Sequence, residues 1–402
     1  MRVAVAFRDI AARSGGAERV AVELINELVA RGFEVDLVSC EEDPSEPFYP
    51  LAPEVRRFNL HGADGFGMRV LRGKFLRKRG KKSNVLKWIS RHGGYVSALR
   101  SYLRRNRPDV LLPFMPSSMT VAALAATGTG IPVVASTHNE PSQDFENPKR
   151  WDANPVDVFL RTKLLRRFRT ILVLLPTYRD WYPKKLHDRI EVIPNPVIPI
   201  DQRLRASAKR KNRILAVGRL TTVKRLDALI EAWGLLHKDF PEWSVHIYGE
   251  GPEKSRLCEL RDSFNFGEGS LVLEGTTTEI MDAYLGSRLF CHPARFEGFP
   301  LCVCEALAAG LPVIGFEDCS GLNSLVVDGQ NGLLVQADSD RAEALARSLK
   351  RVLQDEKLRD ELSQNAPPSV EVFAPKAIYD LWERAIRNAV SAGSSAHTKF
   401  SR

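Results

Sequence analysis

A chain of 402 residues, 44% hydrophobic and 27% charged, is long for one core and comfortable for two domains of ordinary size. No run of about 18 apolar residues occurs, which excludes a membrane-spanning helix. The opening Met1-Arg2-Val3-Ala4-Val5-Ala6-Phe7 meets Arg8 and Asp9 too soon for a signal peptide, so it reads as a buried first strand.

Strand and helix signals alternate through the first half, as a parallel doubly wound sheet requires. Residues 2–7 form the first strand. Residues 17–31 form a helix with Val20, Leu24 and Leu28 recurring every four positions up to Gly32. A second strand covers 34–39. Val96, Leu99 and Leu103 mark another helical face, followed by buried strands at 109–114 and 131–136. A basic helix at 156–169 and a strand at 171–175 come next. Pro194-Asn195-Pro196, Pro199 and the charged run 203–213 mark an interdomain linker. The alternation then restarts. Strands are expected at 214–217, 244–248, 271–273, 289–292 and 313–316, with helices at 225–236 and 341–353. A final helix at 377–390 carries Ile378, Leu381, Trp382 and Ile386 on one face, and the small polar tail after Ser391 is expected to be disordered.

The net charge of +9 is concentrated in one place. From Arg69 to Arg107 there are fourteen Lys and Arg and no Asp or Glu, so the rest of the chain is net acidic. With few aromatics to stack on bases and no binding motif, nucleic acid is not the expected partner. An anionic membrane surface suits the segment better, since each Lys or Arg near one contributes about 1 kcal/mol. Phe75, Trp88 and Ile89 are placed to dip into that interface, and a solvated loop is the alternative. The six cysteines (Cys40, Cys258, Cys291, Cys302, Cys304 and Cys319) have no paired metal-ligand spacing and read as reduced, buried thiols of a cytosolic protein.

The densest chemistry lies in Glu297-Gly298-Phe299-Pro300-Leu301-Cys302-Val303-Cys304-Glu305, ahead of Gly310-Leu311-Pro312. Two carboxylates stand eight positions apart. The first sits in a Gly-Phe-Pro turn, and the second is expected in the first turn of a short helix opened by Pro300. A helix start offers unpaired N–H groups and a positive dipole end, so such a site suits a phosphate beside sugar hydroxyls. Upstream, Arg219 and Lys224 flank a helix start directly after the strand at 214–217, where two cations could neutralise a diphosphate. Gly15 and Gly16 precede the first helix and allow close backbone approach to a ligand. They are not a Gly-x-Gly-x-x-Gly fingerprint, so a dehydrogenase has little support. Asp338-Ser339-Asp340 has the form of a metal-binding Asp-x-Asp, but its place before a helix reads as a cap.

The Glu297 to Glu305 element resembles the Glu-x7-Glu element of retaining glycosyltransferases with the GT-B fold, most like glycosyltransferase family 4. Gly15-Gly16-Ala17-Glu18-Arg19, Thr137-His138-Asn139, Ile193-Pro194-Asn195-Pro196, Val217-Gly218-Arg219 with Lys224, Tyr248-Gly249-Glu250-Gly251-Pro252 and Asp328-Gly329-Gln330-Asn331-Gly332 follow in the expected order. The resemblance is dense from about Arg213 to Val335. It implies an α/β GT-B architecture, two Rossmann-like parallel-sheet domains facing each other across a cleft. The acceptor domain would span 1–195 and the nucleotide-sugar domain 196–374, with a helix at about 375–390 packing back on the first.

The same resemblance implies transfer from a nucleotide-diphosphate sugar, commonly UDP-linked, with retained configuration and without a metal cofactor. The acceptor would be a glycan, lipid-linked in the bacterial cell-surface polysaccharide enzymes that the chain resembles, at the inner face of the membrane. It assigns catalytic roles to Glu297, His138, Arg219 and Lys224. Substrate binding falls to Gly15, Gly16, Arg219, Lys224, Glu297, Gly298, Phe299, Pro300, Leu301 and Glu305. One departure stands out: after Phe316, Cys319-Ser320-Gly321-Leu322-Asn323-Ser324 replaces a Gly-Gly pair and a Glu, with Ser324 at the Glu position. A soluble small-molecule acceptor and a non-catalytic GT-B scaffold are the alternative readings.

Overall fold

The computed structural model describes residues 1–10, 15–62, 84–147, 154–337 and 340–397. The chain divides into two compact units, Met1–Pro194 with Ile378–Arg402, and Asn195–Ala377.

Among the described residues of the first unit seven strands are laid down in chain order: β1 Arg2–Ala6, β2 Glu34–Ser39, β3 Arg56–Asn59, β4 Val110–Pro113, β5 Val134–Ser136, β6 Thr170–Val173 and β7 Ile190–Val192. Two parallel sheets result, β3-β2-β1-β4 and β5-β6-β7. Parallel bridges Leu111–Val133 and Phe114–Ser136 stitch β4 to β5. The chain therefore winds one way from β1 to β3 and the other way from β4 to β7. Every residue of β4, β5 and β6 is buried, as strands covered on both faces must be, and this is why they read as unbroken apolar runs.

The helix Gly16–Ala30 buries Val20, Leu24 and Leu28. Gly32 then turns the chain at φ +82°, a left-handed value that a glycine adopts without strain. Ile378, Trp382 and Ile386 of the helix Pro375–His397 join Val5, Leu24 and Phe114 in one core. That helix runs to His397, so the expected disorder after Ser391 is corrected as far as that residue. Once anchored by Trp382, a helix extends by one hydrogen bond per added residue, and a weak-forming tail follows.

The basic run from Arg69 to Lys82, with Phe75, lies outside the described residues. The described part of the basic segment opens with the helix Asn84–Trp88 and continues, after a π turn, into Gly94–Asn106. Here Trp88 departs from expectation. It is buried, and its indole N–H donates to Asp157 Oδ1 at 2.9 Å. A polar edge with a buried partner holds the ring inside rather than at a membrane. Val85, Leu86 and Ile89 are the large apolar residues left exposed in the described part of the segment, at 51%, 41% and 38%.

The second unit holds a six-stranded parallel sheet of β8 Arg213–Val217, β9 Ser244–Tyr248, β10 Leu271–Gly275, β11 Leu289–His292, β12 Val313–Phe316 and β13 Gly332–Val335. Its order is β10-β9-β8-β11-β12-β13. The helices Leu226–Leu236 and Arg341–Gln354 cover it and bury Trp233, Leu345 and Leu349 with Ile314 and Phe316. Asp340 caps the second of these helices by accepting from Ala342 and Glu343 N–H. A cap of this kind is typically worth about 1 kcal/mol. Asp338 and Ser339 lie outside the described residues.

Candidate functional site

The winding of the second unit reverses between β8 and β11, which lie side by side. Loops leaving adjacent strands in opposite directions open a crevice at their carboxyl ends, where doubly wound sheets bind ligands. Arg219 and Lys224 follow β8; Glu297 follows β11.

Backbone contacts hold these loops together. Arg295 N–H donates to Val223 O at 2.9 Å, and Glu297 N–H donates to Ser320 O at 3.0 Å. Gly321 sits at φ +80°, and a Cβ there would stand 2.7 Å from the Glu297 carbonyl oxygen. Only glycine fits both the dihedral and the space. A Cβ on Gly249, after β9, would fall 2.0 Å from the Gly218 carbonyl oxygen. Lys224 closes a 3-10 turn and is followed by Arg225 in the left-handed region at φ +49°, a conformation that L-residues with a Cβ rarely hold.

Within this frame the Glu297 carboxylate accepts from Lys224 Nζ, and its Oε1 stands 2.9 Å from His292 Nε2. Burial alone would raise its pKa. The Lys224 charge and the His292 hydrogen bond outweigh that effect and hold it at about 2. The Lys224 ammonium is half-buried, which works against its charge, yet Glu297 shifts its pKa upward. Burial lowers the pKa of His292. The half-buried Cys302 thiol is pushed up to about 12, by burial first and with the Glu297 and Glu305 charges acting in the same direction. Arg219 is exposed on the Lys224 loop.

Glu305 occupies the fifth position of the helix Leu301–Ala308, not its first turn, because Pro300 is the capping residue and not the first helical one. Its carboxylate is held instead by a side chain, since Tyr284 Oη donates to Glu305 Oε2 at 2.9 Å. Gly298, Phe299 and Pro300 are buried, and the Phe299 ring packs edge-on against Phe373 at 5.3 Å. Among the described residues no group of three or more His, Cys, Asp or Glu is placed to hold a metal.

The structure thus gathers Lys224, Glu297 and Glu305 around one crevice end. His138, Gly15 and Gly16 belong to the first unit. Gly15 is the residue before the helix Gly16–Ala30, at an ordinary φ of −78°. The half-buried His138 shares a 2.8 Å hydrogen bond with Ser136 Oγ and stacks on Phe114 at 4.7 Å and 11°. Two residues at the site escaped sequence reasoning. His292 had one signal, a polar residue ending the apolar strand 289–292. Tyr284 had none.

The model of Glycosyltransferase Family 4 matches residues 14–199, and that of Glycosyl transferases group 1 matches 199–368. An uncharacterized glycosyltransferase of Haemophilus influenzae is 24% identical, the alignment covering 92% of this chain and 96% of the relative. A Campylobacter jejuni enzyme that adds N-acetyl-D-galactosamine in α-1,4 linkage to an undecaprenol-diphosphate-linked glycan is 27% identical over 96% of this chain and 99% of its own. Among solved structures, sucrose-phosphate synthase from Thermosynechococcus elongatus superposes with a TM-score of 0.77 at 20% identity, covering 97% of this chain and 99% of that one. The Anabaena protein Alr3699/HepE in complex with UDP gives 0.72 at 14% identity, covering 96% and 100%. At such identities the structural likeness shows the fold. The two family matches adjoin from residue 14 to residue 368, and the chain is a family 4-like glycosyltransferase of the GT-B fold.

Proposed function

We propose that the chain transfers a hexose or N-acetylhexosamine from a UDP-linked donor to a lipid-linked glycan, with retained anomeric configuration and without a metal. The observation that carries this reading is the Lys224–Glu297–His292 cluster at the β8/β11 reversal. Arg219 and Lys224 bring two cations against the one Glu297 carboxylate, a balance suited to a diphosphate leaving group. Glu305, braced by Tyr284, is suited to accepting hydrogen bonds from the nucleotide ribose. The donors on Glu297 lower its nucleophilicity, which fits contact with sugar hydroxyls better than attack on the anomeric carbon. His138 is assigned to the donor sugar on the strength of the resemblance.

In this scheme the acceptor hydroxyl oxygen bonds to the anomeric carbon on the face from which the diphosphate leaves. The bond from that carbon to the diphosphate oxygen breaks, and the hydroxyl proton passes to the departing diphosphate. No protein nucleophile is consumed. The Campylobacter relative's undecaprenol-linked acceptor and the UDP-bound Anabaena neighbour support the choice of acceptor and donor.

Calorimetric titration with UDP, GDP and ADP, each in EDTA, tests the reading. Saturable binding of UDP that is lost in Glu305→Ala is the expected result. Binding only in the presence of a divalent cation would remove the metal-independent part, and no binding of any of the three would favour a non-catalytic scaffold.

Among the described residues no helix is long and apolar enough to cross a membrane. We propose peripheral attachment at the cytoplasmic face, supported by exposed Val85, Leu86 and Ile89 beside Lys87 and Arg91. Sedimentation with phosphatidylglycerol vesicles should be reduced in a V85S/L86S/I89S variant. Unchanged binding would remove this surface from the account.

A further inference from the structure

We propose that Cys302 and His292 form a positioning relay that aims the Glu297 carboxylate at the donor sugar, an inference that rests on the transferase reading above. The relay is built from one strand end and one helix start. His292 closes β11 in the middle of the sheet, 3% exposed, with its ring stacked on Phe290 at 6.2 Å and 13°. Its Nε2 lies 2.9 Å from Glu297 Oε1, and its Nδ1 lies 3.8 Å from Cys302 Sγ.

Donor and acceptor roles follow from elementary chemistry. An ionised carboxylate only accepts, so Nε2 carries the imidazole proton. A buried imidazole beside Lys224 is disfavoured as a cation, which leaves Nδ1 with a lone pair. Cys302, half-buried and protonated at neutral pH, supplies its weak S–H to that lone pair. Each hydrogen then points one way: thiol to Nδ1, and Nε2–H to carboxylate. This resembles the outer partners that fix the tautomer and direction of a metal-bound histidine, here serving a carboxylate.

Lys224 and His292 are not equivalent as partners of Glu297. Lys224 is the last residue of a short 3-10 turn, directly before the left-handed Arg225, and an incoming diphosphate competes for its ammonium. His292 is fixed in a central strand and is shielded by its burial from the phosphates. When the donor enters and draws on Lys224, His292 keeps Glu297 in register with the sugar. The relay therefore governs turnover and sugar choice rather than nucleotide affinity.

Three readouts on the full chain test this. In the nucleotide-free wild type, ¹⁵N-histidine NMR, with the resonance assigned by its loss in His292→Gln, should show the Nε2–H tautomer at His292. His292→Leu should lower kcat roughly ten- to a hundredfold, the scale expected for losing a hydrogen bond to a charged group. Its affinity for whichever of UDP, GDP and ADP binds the wild type should stay within about twofold. His292→Gln, whose amide can still donate to Glu297, should recover most of the turnover.

An Nδ1–H tautomer or a cationic ring in the wild type would overturn the relay. So would wild-type turnover in His292→Leu, or a His292→Gln variant as impaired as His292→Leu. A wild type that neither binds a nucleotide nor transfers any sugar would sink the transferase reading instead, and the relay would then stand or fall on the tautomer alone.

Discussion

The two units wind their sheets by the same rule and then use the reversal point differently. In the first unit the strand ends at the β1/β4 reversal carry rings. Phe7 stacks on Phe114 at 6.0 Å, and Phe114 also stacks on His138 and on Trp382 at 4.7 and 5.8 Å. In the second unit the β8/β11 reversal carries charge, Lys224 against Glu297 with His292 behind it. Topology decides where a crevice opens, and the loop residues decide what it can bind. A half-buried ion pair beside the exposed Arg219 suits an anionic diphosphate. The stacked rings belong to the core, with Phe7, Phe114 and Trp382 only 4%, 0% and 2% exposed, and the half-buried His138 is set against them.

The strongest way to break this contrast is Lys224→Ala, which leaves Glu297 as a buried carboxylate with its cation removed. Because both side chains keep some exposure, 21% and 15%, the expected stability loss is about 3 kcal/mol, at the lower end for a disrupted buried pair. Urea unfolding measures it, and nucleotide binding should be lost together with it.

Acid unfolding sharpens the same point. Glu297 is held at about 2 from an ordinary 4.5, so its ionised form stabilises the fold above the ordinary value. That contribution disappears as pH falls from about 4.5 towards 2. Glu297→Gln should lack this part of the acid slope, and an unchanged slope would mean that the pair does not hold the second unit together.

Gly321→Ala meets both a left-handed backbone and a carbonyl oxygen 2.7 Å away. A loss of about 2 kcal/mol in unfolding free energy is expected, with transfer activity falling because Glu297 is displaced. Tyr284→Phe removes only the hydroxyl that holds Glu305, and should weaken nucleotide binding by about 1 kcal/mol in calorimetry. The smallest effect on nucleotide binding belongs to the first unit. His138→Ala should leave nucleotide affinity unchanged, cost about 1 kcal/mol of stacking, and lower turnover. Unchanged turnover would take His138 out of the reaction.

Some of this was legible before any fold was seen, for identifiable reasons. Strands 34–39, 244–248, 289–292 and 313–316 were read with the bounds they have, because each is an apolar run closed by polar residues or by Gly and Pro. The strand Arg56–Asn59 was not read. It lies at a sheet edge, pairs among the described residues only with β2 and is largely exposed, so its Arg-Arg-Phe-Asn carries no burial pattern. The helix Met115–Ala125 was missed for the opposite reason, since it is buried nearly all round and shows no helical period. At the site, Glu297, Glu305, Arg219 and Lys224 stood out through their spacing and the resemblance they carry. Trp88 misled, because an aromatic beside basic residues gives no sign of whether a buried acid such as Asp157 awaits its N–H.

By itself the sequence determined the two alternating sets of strands and helices, the break near residue 195, and the presence of two carboxylates and two cations suited to a nucleotide sugar. Those properties depend on neighbours a few positions apart, which periodicity and turn chemistry record. Only the tertiary structure decided that Lys224 and Glu297, 73 positions apart, share a proton-rich contact, that His292 and Cys302 stand behind the carboxylate, and that Tyr284 holds Glu305. Those pairings exist because β11 adds beside β8 rather than beside β10. Strand order is settled by how whole faces of the sheet bury against their helices, a choice that no local run of residues encodes.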